Sequence, residues 1–439
     1  MLTKERIENV LSNIAIQALN PMQESVVNAE RNTPNILLLS PTGSGKTLAF
    51  LLRVLDILDA DKSDIQVLIV APARELVLQI EEVFRSMKTG FKVSVCYGGH
   101  HSRTEQNRLS ESPAVVIGTP GRLFDHISKG VIDSSTIQLL VLDEFDKSLE
   151  MGFQDQLEVI FNSLSGKQKH MLTSATELDV FPGFVPFRNP KVFNFLQDKV
   201  ESKLRLALIK TPAEEKLETL LKLISSFKQE VSLVFCNHRE AVERIGIHFR
   251  EMGFAHGIFH GAMEQVDRER NLIKFRSGSC LVLIATDLAA RGLDIPEIRH
   301  VVHYQLPVHE DAFIHRNGRT ARMHADGQAY IIQGDDEKLP DYMKGSIPEM
   351  NLPAHLEKIP LPEFECVYFS AGKKEKISKG DLVGLLMKKG EMSQSDIGLI
   401  TITDQASFVA IRRTKVPTFL KRIVGEKLKK AKVKVSVAR

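Results

Sequence analysis

The chain has 439 residues, too many for one ordinary core, so two or three domains are expected. At 43% hydrophobic and 26% charged, with no low-complexity tract, it is patterned like a soluble globular protein, and no apolar run approaches the roughly 20 residues that cross a bilayer. The net charge of +3 hides an asymmetry: residues 371–439 hold 17 Lys and Arg against 6 Asp and Glu, leaving 41 against 49 in the rest, which points to a polyanion partner for the tail.

The opening "MLTKERIENVL" reads as a charged helix and lacks the apolar core of a signal peptide, so a cytoplasmic location is expected. "NILLLS" is a strand leading into "PTGSGKT" and an apolar helix. This is the pattern of a phosphate-binding loop, in which Thr42, Gly43, Ser44 and Gly45 turn backbone amides towards phosphate oxygens at a helix N-terminus. Lys46 would reach the β- and γ-phosphates, and the Thr47 hydroxyl would ligate magnesium, so ATP with Mg2+ is the expected cofactor pair. "QVLIVA" then leads to "PARELVLQ", "AVVIGT" to "PGRL" and "LLVLD" to "EFDK". Asp143 ends the last of these strands as the second magnesium-side acid, with Glu144 placed to orient the attacking water.

The rhythm repeats after residue 205 with "SLVFC" to "NHRE" and "CLVLIAT" to "DLAARGLD". Apolar strands alternating with helices predict buried parallel sheets, hence two α/β domains over 1–200 and 206–345. Pro348, Pro353, Pro360 and Pro362 mark a linker over 346–362. Residues 363–439 read β-α-β-β-α-β, a split βαβ, ferredoxin-like α+β fold of the kind used by RNA-recognition modules, with "AKVKVSVA" as its last strand. Cys96, Cys236, Cys280 and Cys366 show no CxxC spacing, so neither a disulfide framework nor a structural metal beyond the magnesium is expected.

Taken together, "PTGSGKT", "PARELVLQ", "GG" at 98–99, "TPGR", "DEFD", "SAT", "VFCNHRE", "HGAMEQVDR", "ATDLAARGLDIP" and "HRNGRTAR" occur in an order that resembles the DEAD-box ATP-dependent RNA helicases. The resemblance covers about residues 10–335 and implies two RecA-like P-loop domains closing over ATP and single-stranded RNA. It gives Lys46, Thr47, Asp143 and Glu144 to nucleotide and magnesium, Arg319 and Arg322 to the γ-phosphate as arginine fingers, Asp294 to the ribose and Gln23 to adenine. RNA contacts are implied for Arg74, Gly99, Thr119, Gly121, Arg122 and Thr286, and coupling of ATP to RNA for Asp146, Ser174, Thr176 and His315.

Departures from the family pattern are Phe145 in place of alanine, Ala73 for threonine, Gln305 for aspartate, Asn317 and Ala321 in the last motif, and no aromatic upstream of Gln23. Alternation along an extended stretch would turn Phe145 away from Glu144 into packing. The tail resembles the RRM-like domain of the DbpA branch, which implies binding to structured ribosomal RNA and a part in large-subunit assembly. Its "DQASFVAI" strand keeps Phe408 but has Ala406 at another stacking position, so Lys427, Lys429, Lys430, Lys432, Lys434, Arg412 and Arg413 are the expected phosphate-binding residues. The function expected is local separation of RNA duplexes by a monomeric RNA-dependent ATPase. Its rivals are an RNA clamp or assembly factor with vestigial ATPase, and a DNA translocase on the same core.

Overall fold

A computed structural model describes the chain except for residues 1, 42, 99–101, 178–180, 197–203, 288–297, 321–326, 344–346, 354–360, 424, 430 and 439. Thr42, Gly99, Asp294, Ala321, Arg322, Pro360 and Lys430, singled out above, lie outside the described residues. The chain divides into two compact units, Met1–Ser202 with Gly292–Asp294, and Lys203–Arg291 with Ile295–Arg439.

The first unit is built on seven parallel strands: β1 (Asn35–Leu39), β2 (Val67–Val70), β3 (Val93–Cys96), β4 (Val115–Gly118), β5 (Leu139–Leu142), β6 (Lys169–Ser174) and β7 (Lys191–Asn194). Their order is β3-β4-β2-β5-β6-β1-β7. Side chains alternate across a strand, and here both faces are covered. Ile36, Leu38, Val67, Ile69 and Val141 enter one core, while Leu37, Leu39, Leu68, Val70 and Leu142 enter the other. That is why these strands read as unbroken apolar runs. Pairing of Leu39 with Ser174 and of Val70 with Leu142 brings the carboxyl ends of β1, β6, β5 and β2 together, where ligands of such sheets bind.

The second unit repeats the design in β8 (Leu204–Thr211), β9 (Ser232–Cys236), β10 (His256–Phe259), β11 (Val282–Thr286), β12 (His300–His303) and β13 (Gly327–Gly334), all parallel, in the order β10-β11-β9-β12-β13-β8. It continues into an antiparallel sheet of β14 (Phe364–Phe369), β15 (Ile397–Ile402), β16 (Ser407–Arg412) and β19 (Val435–Val437), ordered β15-β16-β14-β19. The helices Lys379–Lys388 and Val416–Arg422 pack Leu382, Leu385, Leu386, Val416 and Phe419 onto one face of it. This is the split βαβ order expected.

The last expected strand is divided. Lys429 turns at φ 56°, so β17 (Lys427–Leu428) and β18 (Ala431–Lys432) pair as a short hairpin before β19 joins β14. On its other face the sheet presents Cys366, Ala406, Phe408 and Ala438, and these pack with Ile273 of the helix Gln265–Arg276. Among the described residues no helix is long and apolar enough to cross a membrane.

Candidate functional site

β1 ends in a loop held at both sides. The Ser40 amide donates to the Ser174 carbonyl, and Gly43 and Gly45 take φ of 82° and 91° before the helix Lys46–Ile57 begins. Positive φ alone favours glycine. At Gly45 a Cβ would also lie 2.5 Å from Gln23 Nε2 and displace that amide from the Gly45 carbonyl. Gln23 donates through Nε2 to the Gly45 carbonyl and accepts from the Asn20 amide, while Asn20 Nδ2 donates to the Ser44 carbonyl. The adenine-reading candidate thus fastens the helix Pro21–Val27 to the phosphate loop, with both amide heteroatoms on backbone. Lys46 Nζ donates to the carbonyls of Ser40 and Pro41 at 2.6 and 2.9 Å, and Thr47 follows it in the first helical turn.

Facing this loop, β5 ends at Leu142 and Asp143 is buried. Burial pushes the Asp143 carboxyl up from the usual range, against the lowering effect of the Thr173 hydroxyl and the Lys46 ammonium. Oxygen donors beside a lysine and a glycine loop suit a hard divalent cation with a nucleotide. Glu144 sits at φ 49°, ψ 53°, a left-handed conformation that a residue with a Cβ adopts at a cost of about 1–2 kcal/mol.

Thr173 secures that turn. Its hydroxyl donates to Asp143 Oδ1 at 2.6 Å and accepts from the Glu144 amide at 3.2 Å. Sequence reasoning missed Thr173, although it directly precedes "SAT" in a strand neighbouring β5. Phe145 is fully buried and stacked on Phe181 with ring centres 6.3 Å apart. Packing was expected, but not through alternation along a strand: the left-handed Glu144 ends the extended stretch and Phe145 opens the helix Phe145–Glu150. Of the coupling set, this unit brings together Asp146, Ser174 and Thr176. Thr176 Oγ1 donates to Asp146 Oδ2 at 3.0 Å, and Ser174 Oγ donates to the Thr176 carbonyl.

The described RNA candidates of this unit lie at the carboxyl ends of β2 and β4. Arg74 opens the helix Arg74–Ser86 with its guanidinium 4.5 Å from the centre of the Tyr97 ring. Thr119 takes the N-cap position of the helix Pro120–Ser128, which carries the exposed Gly121 and the half-buried Arg122. Arg122 Nε donates to Glu105 Oε2 at 2.6 Å, and Nη1 lies 3.9 Å from Asp125. Cys96, Glu105 and His126 place donor atoms within 4.8 Å of one another. Glu105 already accepts from Arg122 and the Tyr97 amide, and burial pushes the Cys96 thiol up, so the cluster is an ion-pair core ill suited to a metal.

In the second unit Thr286 ends β11, half-buried, and His315 and Arg319 are buried at the end of the helix Glu310–Asn317 and just beyond it. Arg316, which the sequence did not single out, is the hub. It donates twice to Asp287, at 2.5 and 2.6 Å, and at 2.7 Å to both the Gln305 carbonyl and Asn237 Oδ1. The departures have partners here: Gln305 Oε1 accepts from the Asn237 amide, and Asn317 Oδ1 lies 2.9 Å from His303 Nε2.

In the tail, Lys429 is paired with Asp381, Arg412 with Glu363 and Asp396, and Arg413 with Glu365. Lys427, Lys432 and Lys434 are exposed.

Three family profiles tile the chain: DEAD/DEAH box helicase over residues 20–179, helicase conserved C-terminal domain over 215–324, and DbpA RNA binding domain over 366–437. The chain belongs to the DEAD-box family and is an ATP-dependent RNA helicase. Within that family it is DbpA-like. It is 30% identical over 454 aligned residues to the ATP-dependent RNA helicase DbpA of Bacillus subtilis, covering 95% of this chain and 94% of that one. Identity to the Escherichia coli DbpA is 29%, with the same coverage of each. Among solved structures, S. cerevisiae Dbp5 bound to RNA and ADP BeF3 superposes with a TM-score of 0.69 at 26% identity, covering 76% of this chain and 88% of that one.

Proposed function

We propose that the protein locally separates duplexes in ribosomal RNA during large-subunit assembly, working as a cytoplasmic monomer. In this reading residues 1–200 and 206–345 are the two RecA-like domains, 346–362 a linker and 363–439 the RNA anchor. Lys46, with the loop amides from Thr42 to Gly45, holds the phosphates, and Thr47 and Asp143 hold a magnesium ion, which neutralises phosphate charge. Glu144 orients the attacking water. Arg319 and Arg322 serve the γ-phosphate, Asp294 and Gln23 the nucleoside, and Asp146, Ser174, Thr176 and His315 couple ATP to RNA. Arg74, Gly99, Thr119, Gly121, Arg122 and Thr286 contact the RNA backbone.

The observation that carries the reading is the Thr173 clamp, which holds a buried Asp143 and a left-handed Glu144 opposite the glycine loop. The ribosomal target is supported by the likeness of the tail to the DbpA RNA binding domain, and exposed Lys427, Lys432 and Lys434 give it a phosphate-binding edge.

The test is steady-state ATP hydrolysis by the whole chain with no RNA, with ribosomal RNA and with unrelated RNA. It is repeated after Lys427→Ala, Lys432→Ala and Lys434→Ala are combined. Ribosomal RNA is expected to stimulate more strongly than unrelated RNA, and its apparent affinity should fall about tenfold in the variant. Equal stimulation by any RNA removes the ribosomal target and leaves the helicase.

A further inference from the structure

We propose that Glu105 is a positioning residue for RNA, setting the Arg122 guanidinium against the backbone of Tyr97 at the end of β3. The inference rests on the reading of Arg122 as an RNA backbone contact.

Three nitrogens converge on this one carboxylate. Oε1 accepts from the Tyr97 amide at 3.0 Å, and Oε2 accepts from Arg122 Nε at 2.6 Å and lies 2.7 Å from His126 Nε2. Glu105 is 2% exposed and His126 fully buried, so water competes little for these bonds. Burial alone would push the carboxyl up. The bonds from His126, Arg122 and the Tyr97 amide outweigh it and hold Glu105 below the usual range, hence ionised at neutral pH.

The partners come from separate places in the chain. Tyr97 immediately precedes the glycine pair at 98–99, and Arg122 lies in the first turn of the helix with Thr119 at its N-cap position. His126 is one turn further along that helix. A single buried group thus ties Arg122 to the backbone at the end of β3. Arg74 joins the same corner through the Tyr97 ring. Asp125, 3.9 Å from Nη1, braces the guanidinium from its own helix. A planar guanidinium recognises phosphate through a fork whose orientation matters, so fixing its Nε edge fixes the plane it offers.

The chemistry at position 105 is demanding. A carboxylate only accepts, as converging donors require. A glutamine amide would turn an NH2 group towards either the Tyr97 amide or the Arg122 Nε, and aspartate would fall short by one methylene.

The experiment measures RNA-stimulated ATP hydrolysis against RNA concentration for the full chain, Glu105→Gln, Arg122→Ala and the double variant, with thermal unfolding of each. Glu105→Gln is expected to raise the half-saturating RNA concentration about tenfold, with kcat at saturating RNA within about twofold. Arg122→Ala should raise it similarly, and the double variant no further than Arg122→Ala alone, because one contact is lost either way. Effects that multiply in the double variant would overturn the proposal. So would a lowered unfolding midpoint for Glu105→Gln with unchanged RNA dependence, which would make Glu105 merely structural. An unchanged value for Arg122→Ala would remove the reading of Arg122, and the proposal with it. Arg122→Lys, which keeps the charge and loses the fork, needs no change at Glu105. It too should raise the RNA requirement, and an unchanged value counts against the proposal.

Discussion

Laid side by side, the orders β3-β4-β2-β5-β6-β1-β7 and β10-β11-β9-β12-β13-β8 put the first strand of each unit sixth in line, with β7 beyond β1 and β8 at the edge. The segments leaving those two strands differ. After β1 come two glycines at positive φ and a helix that opens with Lys46. After β8 come Pro212, a single turn carrying Glu214 and Glu215, and a helix that opens with Lys216. Both lysines begin their helices, yet the Lys216 ammonium is bonded to Glu337 and lies 5.4 Å from the centre of the Tyr304 ring. Acids before a helix repel phosphate, and without glycine the amides do not curl into a nest. One architecture therefore serves two ends, and the residues between strand and helix decide which.

The widest gap between the units should appear on removing the paired lysines. Lys46→Ala is expected to reduce RNA-stimulated ATP hydrolysis on the order of 1,000-fold. Lys216→Ala should leave turnover intact and cost about 1 kcal/mol of stability, because Glu337 is partly exposed. A steady-state assay and a urea titration of each variant read the two effects, and comparable loss of turnover in both would end the distinction.

A smaller difference should emerge in mild acid. Burial lowers His303 to about 3 and His170 to about 4, and it also lowers His256 and His300. These folded values lie below the unfolded value of about 6.5, so unfolding takes up protons as pH drops past it. Stability is full above that pH and falls by up to about 1.4 kcal/mol per pH unit for each group. Three of the four histidines belong to the second unit, which should weaken faster between pH 6.5 and 5. Hydrogen exchange resolved by peptide would show it, and equal slopes would contradict it.

The smallest effect concerns the helices after β2 and β9, which start behind Ala73 and His238 without a side-chain cap. Ala73→Thr restores a capping hydroxyl and should stabilise the first unit by about 1 kcal/mol, seen as a thermal midpoint higher by a few degrees.

How much of this was legible in the sequence depended on distance along the chain. The central strands were readable because burial on both faces leaves them nearly all apolar, as "NILLL" and "VLIV" show. The P-loop and the acids of "DEFD" were readable because their chemistry sits in adjacent residues. Thr173, Glu105 and Arg316 were not. Thr173 acts on residues 30 positions away, and Arg316 reaches Asn237 across 79. Such partners meet only once the sheets are ordered. Phe145 shows a milder failure, in which the right packing was expected from the wrong backbone. The tail lysines show a third kind, since composition counts charges but does not reveal that Lys429 already has an acid of its own.

The apolar sheet face of the tail, closed over Ile273 through Cys366, Phe408 and Ala438, bears on how such proteins can be recombined. A tail with its own helices and sheet invites use as a cartridge, to be moved from one helicase to another. Here one residue of the seam, Ile273, belongs to the host. Grafted onto a core with a charged residue at position 273, the cartridge would arrive with a greasy face uncovered, and the abandoned core would expose an isoleucine in its turn. A transplant that works must carry the helix Gln265–Arg276 along with the tail.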